Sequence, residues 1–145
     1  MELSQKIALI LRLDIAVNRL DGAFYMWARR HKLPENMLTM LYALADGARS
    51  QREISEDWLI PKTTVNTLTN ELVEEGFASL GTGKEKMLSL TEKGMRLAEE
   101  SLKELHSAEL DAIDSVLEEF PPEFVAALER YTAVFSQKLG IKTGY

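Results

Sequence analysis

Apolar positions recur at helical spacing along both ends of the chain, and a denser, mixed pattern separates them. From residue 4 to 30, Ile10, Leu13, Val17, Leu20, Phe24 and Trp27 step by three and four, a heptad-like seam that predicts one long helix. Gly22 falls inside it at a small cost relative to alanine, and His31 and Lys32 mark its end. A second helix is expected over about 34 to 46, opened by Pro34, carrying Met37, Leu38, Met40, Leu41 and Leu44, and closed by Asp46-Gly47. Late in the chain, Met95, Ala98, Leu102, Leu105, Ala112 and Val116 predict another long helix, from Glu92 to about Glu119, with Ile113, Leu117 and Phe120 widening its stripe. Phe120-Pro121-Pro122 ends it, because proline disfavours helix at the residue before it. Phe124, Val125, Leu128, Tyr131, Phe135 and Leu139 form the last stripe, stopped by Gly140.

The segment from Arg49 to Gly94 is different. Ile54, Leu59 and Ile60 are apolar positions on and just after a short helix that starts near Ser50. Pro61 breaks that helix and suits the first position of the next, where its missing N–H costs nothing. Val65, Leu68, Leu72 and Val73 then recur at helical spacing, while Lys62, Thr63, Asn66, Thr67 and Asn70 occupy the other face. Gly76 stands where a helix end usually needs a left-handed residue. Two short helices and a tight turn, the second helix polar on one face, are the pattern of a helix-turn-helix. Phe77-Ala78-Ser79-Leu80 and Met87-Leu88-Ser89-Leu90 come next as β-capable runs around a glycine-containing loop, a hairpin signal. A helix-turn-helix followed by a hairpin is a winged helix.

These residues resemble the multiple-antibiotic-resistance regulator (MarR) family of bacterial transcription factors. The resemblance rests on Glu53-Ile54-Ser55, Lys62-Thr63-Thr64-Val65, Leu68, Leu72, Glu74-Glu75-Gly76-Phe77 and Leu90-Thr91-Glu92-Lys93-Gly94. The last five are the most specific, although other winged-helix families carry them too. The flanking helices have the expected lengths and order. The expected fold is therefore mainly α (α+β), about six helices plus a short β-hairpin wing. It is read as one unit over 1–145, with a winged helix-turn-helix at 34–94 and dimerisation helices at 1–33 and 95–145.

Burial supports a dimer independently. A small central winged helix cannot cover the first helix and the last two at once, and a twofold pair with interleaved terminal helices solves this. Ile10, Leu13, Val17, Leu128, Tyr131 and Phe135 are the expected interface, against the competing arrangement of a monomeric internal bundle. A dimer would hold two recognition helices roughly 34 Å apart, about one turn of DNA, and so implies a pseudo-palindromic operator.

Composition narrows the function classes. A chain of 145 residues with 46% apolar and 28% charged residues has room for one core and no disorder signature. No apolar run approaches the ~20 residues that cross a bilayer, and Glu2, Lys6 and Arg12 do not fit a secretory signal. Without cysteine there is no disulfide and no thiolate nucleophile; the cytoplasm is the expected setting. His31 and His106 stand in no metal-ligand spacing, and there is no phosphate loop or nucleophile elbow, so neither enzyme, metal nor cofactor is expected. The acids of the late helix, Glu99, Glu100, Glu104, Glu109 and Asp111, read as a solvated face, and His106 as a surface or interface residue.

A net charge of −6 argues against indiscriminate coating of nucleic acid, but site-specific binding depends on local charge. Thr63, Thr64, Asn66, Thr67 and Asn70 suit phosphates or base edges, and Lys62, Lys84 and Lys86 gather positive charge on the recognition helix and wing. Ser50 and Gln51 begin the preceding helix, whose first amides suit a phosphate. Each has a plainer alternative: a threonine near a helix start also caps it. Relatives in the family often have arginines where this chain has Thr67 and Asn70, and a longer wing tied by an aspartate and an arginine. The wing here, Gly81 to Lys86, has no arginine, so base readout is expected to be weaker or differently distributed. The partners implied are double-stranded DNA, a second copy of the chain and, by resemblance, a small aromatic or phenolic effector, with repression as the mode. Phe24, Trp27, Met37, Met40, Leu41 and Trp58 are the candidate pocket, though such residues at helical spacing also make plain core. The competing function is a winged-helix module that binds protein with weak or no DNA affinity. Strongly salt-dependent affinity for duplex DNA would separate the two.

Overall fold

The computed structural model describes residues 1–142; the last three positions of the expected C-terminal dimerisation segment lie outside the described residues. Six helices and a small sheet succeed one another: α1 (Leu3–Ala28), α2 (Glu35–Ala45), β1 (Arg49–Ser50), α3 (Gln51–Trp58), α4 (Lys62–Glu74), β2 (Ala78–Leu80), β3 (Met87–Leu90), α5 (Glu92–Leu117) and α6 (Glu123–Lys138). The chain divides into two compact units, Met1–Leu38 and the remainder from Thr39.

The first unit holds α1 and the start of α2. Trp27, Ala28, Met37 and Leu38 are buried, Leu13 and Phe24 are half-buried, and Ile10, Val17 and Leu20 of the predicted seam are exposed. Around the end of α1 the rings gather, Trp27 lying 5.8 Å from Phe24 and 4.2 Å from His31.

The second unit comprises the winged helix and the two helices after it. Its core contains Met40, Leu41, Leu44, Ile54, Val65, Leu72, Leu88 and Leu102, all essentially inaccessible. Pro61, expected as the first helical residue, is instead the N-cap of α4, which begins one residue later at Lys62. The Glu53-Ile54-Ser55 motif is structural throughout. Glu53 closes a capping box with Ser50, Ile54 fills the core, and the Ser55 hydroxyl donates to the Ile60 carbonyl at 2.7 Å, pinning the turn into α4. Gly76 ends α4 with φ 76°, and the Phe77 amide reaches back to the Leu72 carbonyl at 2.8 Å, a Schellman closure.

The Leu90–Gly94 motif has an equally local purpose. The Thr91 side chain caps α5 by accepting from the Gly94 amide, and its hydroxyl donates to the Gly76 carbonyl at 2.6 Å. Lys93 donates to the Glu75 carbonyl at 2.7 Å and lies 4.3 Å from the Phe77 ring centroid. A Cβ on Gly94 would overlap the Phe77 carbonyl oxygen. The motif therefore welds the end of α4 to the start of α5 across the base of the wing.

Several expectations need correction. The wing is not a lone hairpin: β1 adds a third strand, in the order β1-β3-β2, with Arg49 opposite Leu88 and Ser50 opposite Met87. Two residues of strand carry too little alternation to be read from sequence. Leu59, one of the apolar positions picked out at the end of α3, is 87% exposed and caps α3 in the left-handed region at φ 51°. Val73 is also exposed; eight residues beyond Val65 it has turned by about 80° away from the buried stripe. The core position expected of it belongs to Thr69, which is fully buried, with its hydroxyl oxygen unpartnered. Strand β2 begins at Ala78, because Phe77 is used to close α4.

Candidate nucleic-acid interface

Helix α4 divides cleanly into two faces. Val65, Leu68, Thr69 and Leu72 are buried. On the opposite side Lys62, Thr63, Asn66, Thr67 and Asn70 are exposed together, as their spacing predicted, while Thr64 sits half-buried at the boundary. The Thr67 hydroxyl donates to the Thr63 carbonyl at 3.0 Å, which leaves its oxygen as an acceptor. Charge divides the helix along its length as well. Lys62 stands at the N-terminal end, whereas Glu71, Glu74 and the cap Glu75 are exposed at the other. The helix dipole adds positive potential at the same end as Lys62, so an anion is favoured at the first two turns and disfavoured at the last.

The wing loop, Gly81 to Lys86, is exposed at every position and carries Lys84 and Lys86. Its tip is tied to α3, where Arg52 Nη2 lies 3.8 Å from Glu85 Oε1 and Arg52 Nε 3.9 Å from Glu56 Oε1. Arg52 gives no sign of this role in the sequence, because the pairing depends on how the hairpin folds over α3.

Ser50 and Gln51 occupy different surroundings from the α4 face. Ser50 is buried, and its hydroxyl accepts from the Glu53 amide at 3.1 Å while Glu53 accepts from the Ser50 amide at 2.8 Å. Two of the amides expected to meet a phosphate are thus satisfied by the capping box. Gln51 is half-buried.

The expected ligand-pocket residues fall in both units. Phe24, Trp27 and Met37 belong to the first unit, and Met40 and Leu41 are fully buried core of the second. Trp58 is half-buried and lines a cavity of about 420 Å³ with Tyr42, Ala43, Ala45, Asp46, Arg49 and His106. Arg49 is held there by Asp46 at 3.2 Å, and the His106 ring lies 5.5 Å from that of Tyr42. The Tyr42 hydroxyl donates to Glu109 Oε1 at 3.2 Å. Burial first, and then the negative charge of Glu109, raise the Tyr42 phenol above its ordinary range. His106 is therefore part of a cavity wall rather than a plain surface residue. It stands four positions after buried Leu102, so its helical spacing already placed it on the inner face.

No protein-family model matches the chain, and no curated protein matches it. Solved structures do. A MarR family regulator from Neisseria meningitidis is 26% identical, with a TM-score of 0.69 over 91% of this chain and 96% of that one. A MarR family transcriptional regulator from Silicibacter pomeroyi is 16% identical, with a TM-score of 0.67 over 88% and 94%. A MarR family protein from Bacillus stearothermophilus is 19% identical, with a TM-score of 0.59 over 97% and 99%. The first of these likenesses supports a role as a transcriptional regulator. The resemblance to the MarR family read from the motifs extends to the architecture: the chain has the winged-helix fold of MarR family regulators over nearly its whole length.

Proposed function

We propose that this chain is a sequence-specific DNA-binding transcriptional repressor, acting as a homodimer on a pseudo-palindromic operator and released by a small aromatic or phenolic ligand. The observation that carries the reading is the α4 face, where Lys62, Thr63, Asn66, Thr67 and Asn70 are exposed together on a helix anchored by four buried residues. A lysine, hydroxyls and amides on a rigid helix, with its positive end outward, are suited to phosphates and base edges in a major groove. The acids near the C-terminal end of α4 direct DNA to its first two turns, which is how recognition helices commonly approach.

The dimer is supported by uncovered apolar side chains. On α1, Ile7, Ile10, Ile15 and Val17 are exposed, and on α6 so are Phe124, Val125, Leu128, Tyr131 and Phe135. Helices this apolar are stable in water when a partner covers them, and a second copy supplies matching faces by symmetry. Residues 34–94 then serve as the DNA-binding region and 1–33 and 95–145 as the dimerisation helices. The cavity bounded by Tyr42, Arg49, Trp58 and His106 offers aromatic walls and a cation, and it touches α2, α3 and α5 at once. A ligand there would shift the helix that precedes the recognition helix.

Selection of duplexes from a random library with the purified protein at moderate salt tests the reading. A pseudo-palindrome with half-sites one turn apart is expected. No enrichment from folded, dimeric protein would replace this reading with that of a protein-binding winged helix.

A further inference from the structure

The wing loop has no arginine of its own, but Arg52 lies opposite its tip. Arg52 stands in the first turn of α3 with its side chain 64% exposed, and its guanidinium faces two carboxylates, Glu85 on the wing tip and Glu56 one turn along α3. Both separations, 3.8 and 3.9 Å, are longer than a hydrogen bond, and all three side chains are wet. Such a pair is weak and readily exchanged. A guanidinium presents five donors in a planar fork suited to phosphate as well as carboxylate. Lys84 and Lys86 flank Glu85 on the exposed loop, so the one acid at this tip is the one opposite Arg52. An acid between two lysines would by itself oppose a phosphate, and its pairing with Arg52 gives it a definite place.

We infer that Arg52 is a DNA-backbone contact kept in reserve by Glu85, whose carboxylate stands in for a phosphate until the duplex arrives. Binding exchanges one anion for another: the guanidinium passes from Glu85 to a phosphate, and the wing tip, released from α3, brings Lys84 and Lys86 to the backbone. Glu85 thereby weakens every duplex alike and sets how far the wing engages. The inference rests on the DNA-binding reading above and adds to it a contact and a restraint.

The test is a salt titration of full-length protein on the duplex enriched by selection, with wild type, Arg52→Gln, Arg52→Lys, Glu85→Gln and the Arg52→Gln/Glu85→Gln double variant. Arg52→Gln is expected to weaken binding about tenfold and to flatten the dependence of log K on log salt by about 0.9 for each phosphate no longer neutralised. Arg52→Lys retains most of that slope. Glu85→Gln is expected to tighten binding about threefold to tenfold, and this gain should largely vanish in the Arg52→Gln background. Equal tightening in both backgrounds means that Glu85 acts only by repelling phosphate and overturns the exchange. Wild-type binding with an unchanged slope in Arg52→Gln overturns the contact while leaving the DNA-binding reading intact. Failure of the wild type to bind any duplex overturns both. Unfolding midpoints of all five proteins should agree, since the substituted side chains are exposed.

Discussion

Gly94 and Leu59 show how differently single residues serve this fold. Gly94 lies in the first turn of α5, where ordinary helical geometry would accept alanine; the obstacle is the Phe77 carbonyl, into which a Cβ would project. Backbone cannot swing aside as a flexible side chain does. Gly94→Ala is expected to lower stability by about 2–3 kcal/mol, read as a fall in the urea midpoint, with the wing base loosening because Thr91 and Lys93 lose their partners. Leu59 presents the opposite case. Its left-handed backbone is costly for a branched apolar residue, and its exposure means that the side chain offers little burial in return within this chain. Leu59→Gly is expected to raise stability by roughly 1 kcal/mol, measured by the same urea titration. A loss of stability would show that Leu59 is covered by something, and a partner copy would then be the first place to look.

At the scale of elements, the helix-turn-helix is held from within by polar contacts that its sequence motifs encode. The Ser50–Glu53 capping box starts α3, the Ser55–Ile60 bond fixes the turn, and Gly76 and Thr91 join the end of α4 to the start of α5. Rigid mounting lets the outer face of α4 be composed of residues that add nothing to the core. Lys62→Ala and Lys84→Ala should therefore leave the unfolding midpoint unchanged while weakening duplex binding. Each should lower the salt slope by about 0.9 per phosphate that the lysine had neutralised. Slopes equal to wild type in both variants would refute the placement of DNA against α4 and the wing.

At the scale of the whole molecule, the proposed dimer rests on the exposed apolar faces of α1 and α6. Phe135 is 53% exposed and packs its ring 6.0 Å from that of Tyr131, four residues before it. A charge placed there costs a monomer little and a dimer much, since the partner's apolar surface would have to desolvate it. Phe135→Glu, and likewise Leu128→Glu, is expected to raise the dimer dissociation constant tenfold or more, about 1.4 kcal/mol, seen by sedimentation. Retention of a tight dimer by both variants would move the interface away from α6.

Much of this architecture is legible along the chain. The helices other than the short α3 arise from stripes at three- and four-residue spacing, and their ends from Pro61, Gly76, the paired prolines and Gly140, because these signals depend on neighbours within a turn or two. The polar face of α4 is legible for the same reason: an angular pattern on one helix survives whatever packs behind it. The features that the sequence alone could not determine depend on segments distant along the chain meeting in space. Strand β1 exists because β3 pairs with it, Thr69 is buried where Val73 is left exposed, and Leu59 turns outward because the α3–α4 turn needs a left-handed residue. The cavity lining draws on residues from Tyr42 to His106, and the Arg52–Glu85 pair joins a helix to the tip of a hairpin. Periodicity reports which way a side chain faces on its own element, whereas its partner across a gap is decided only when the tertiary structure closes.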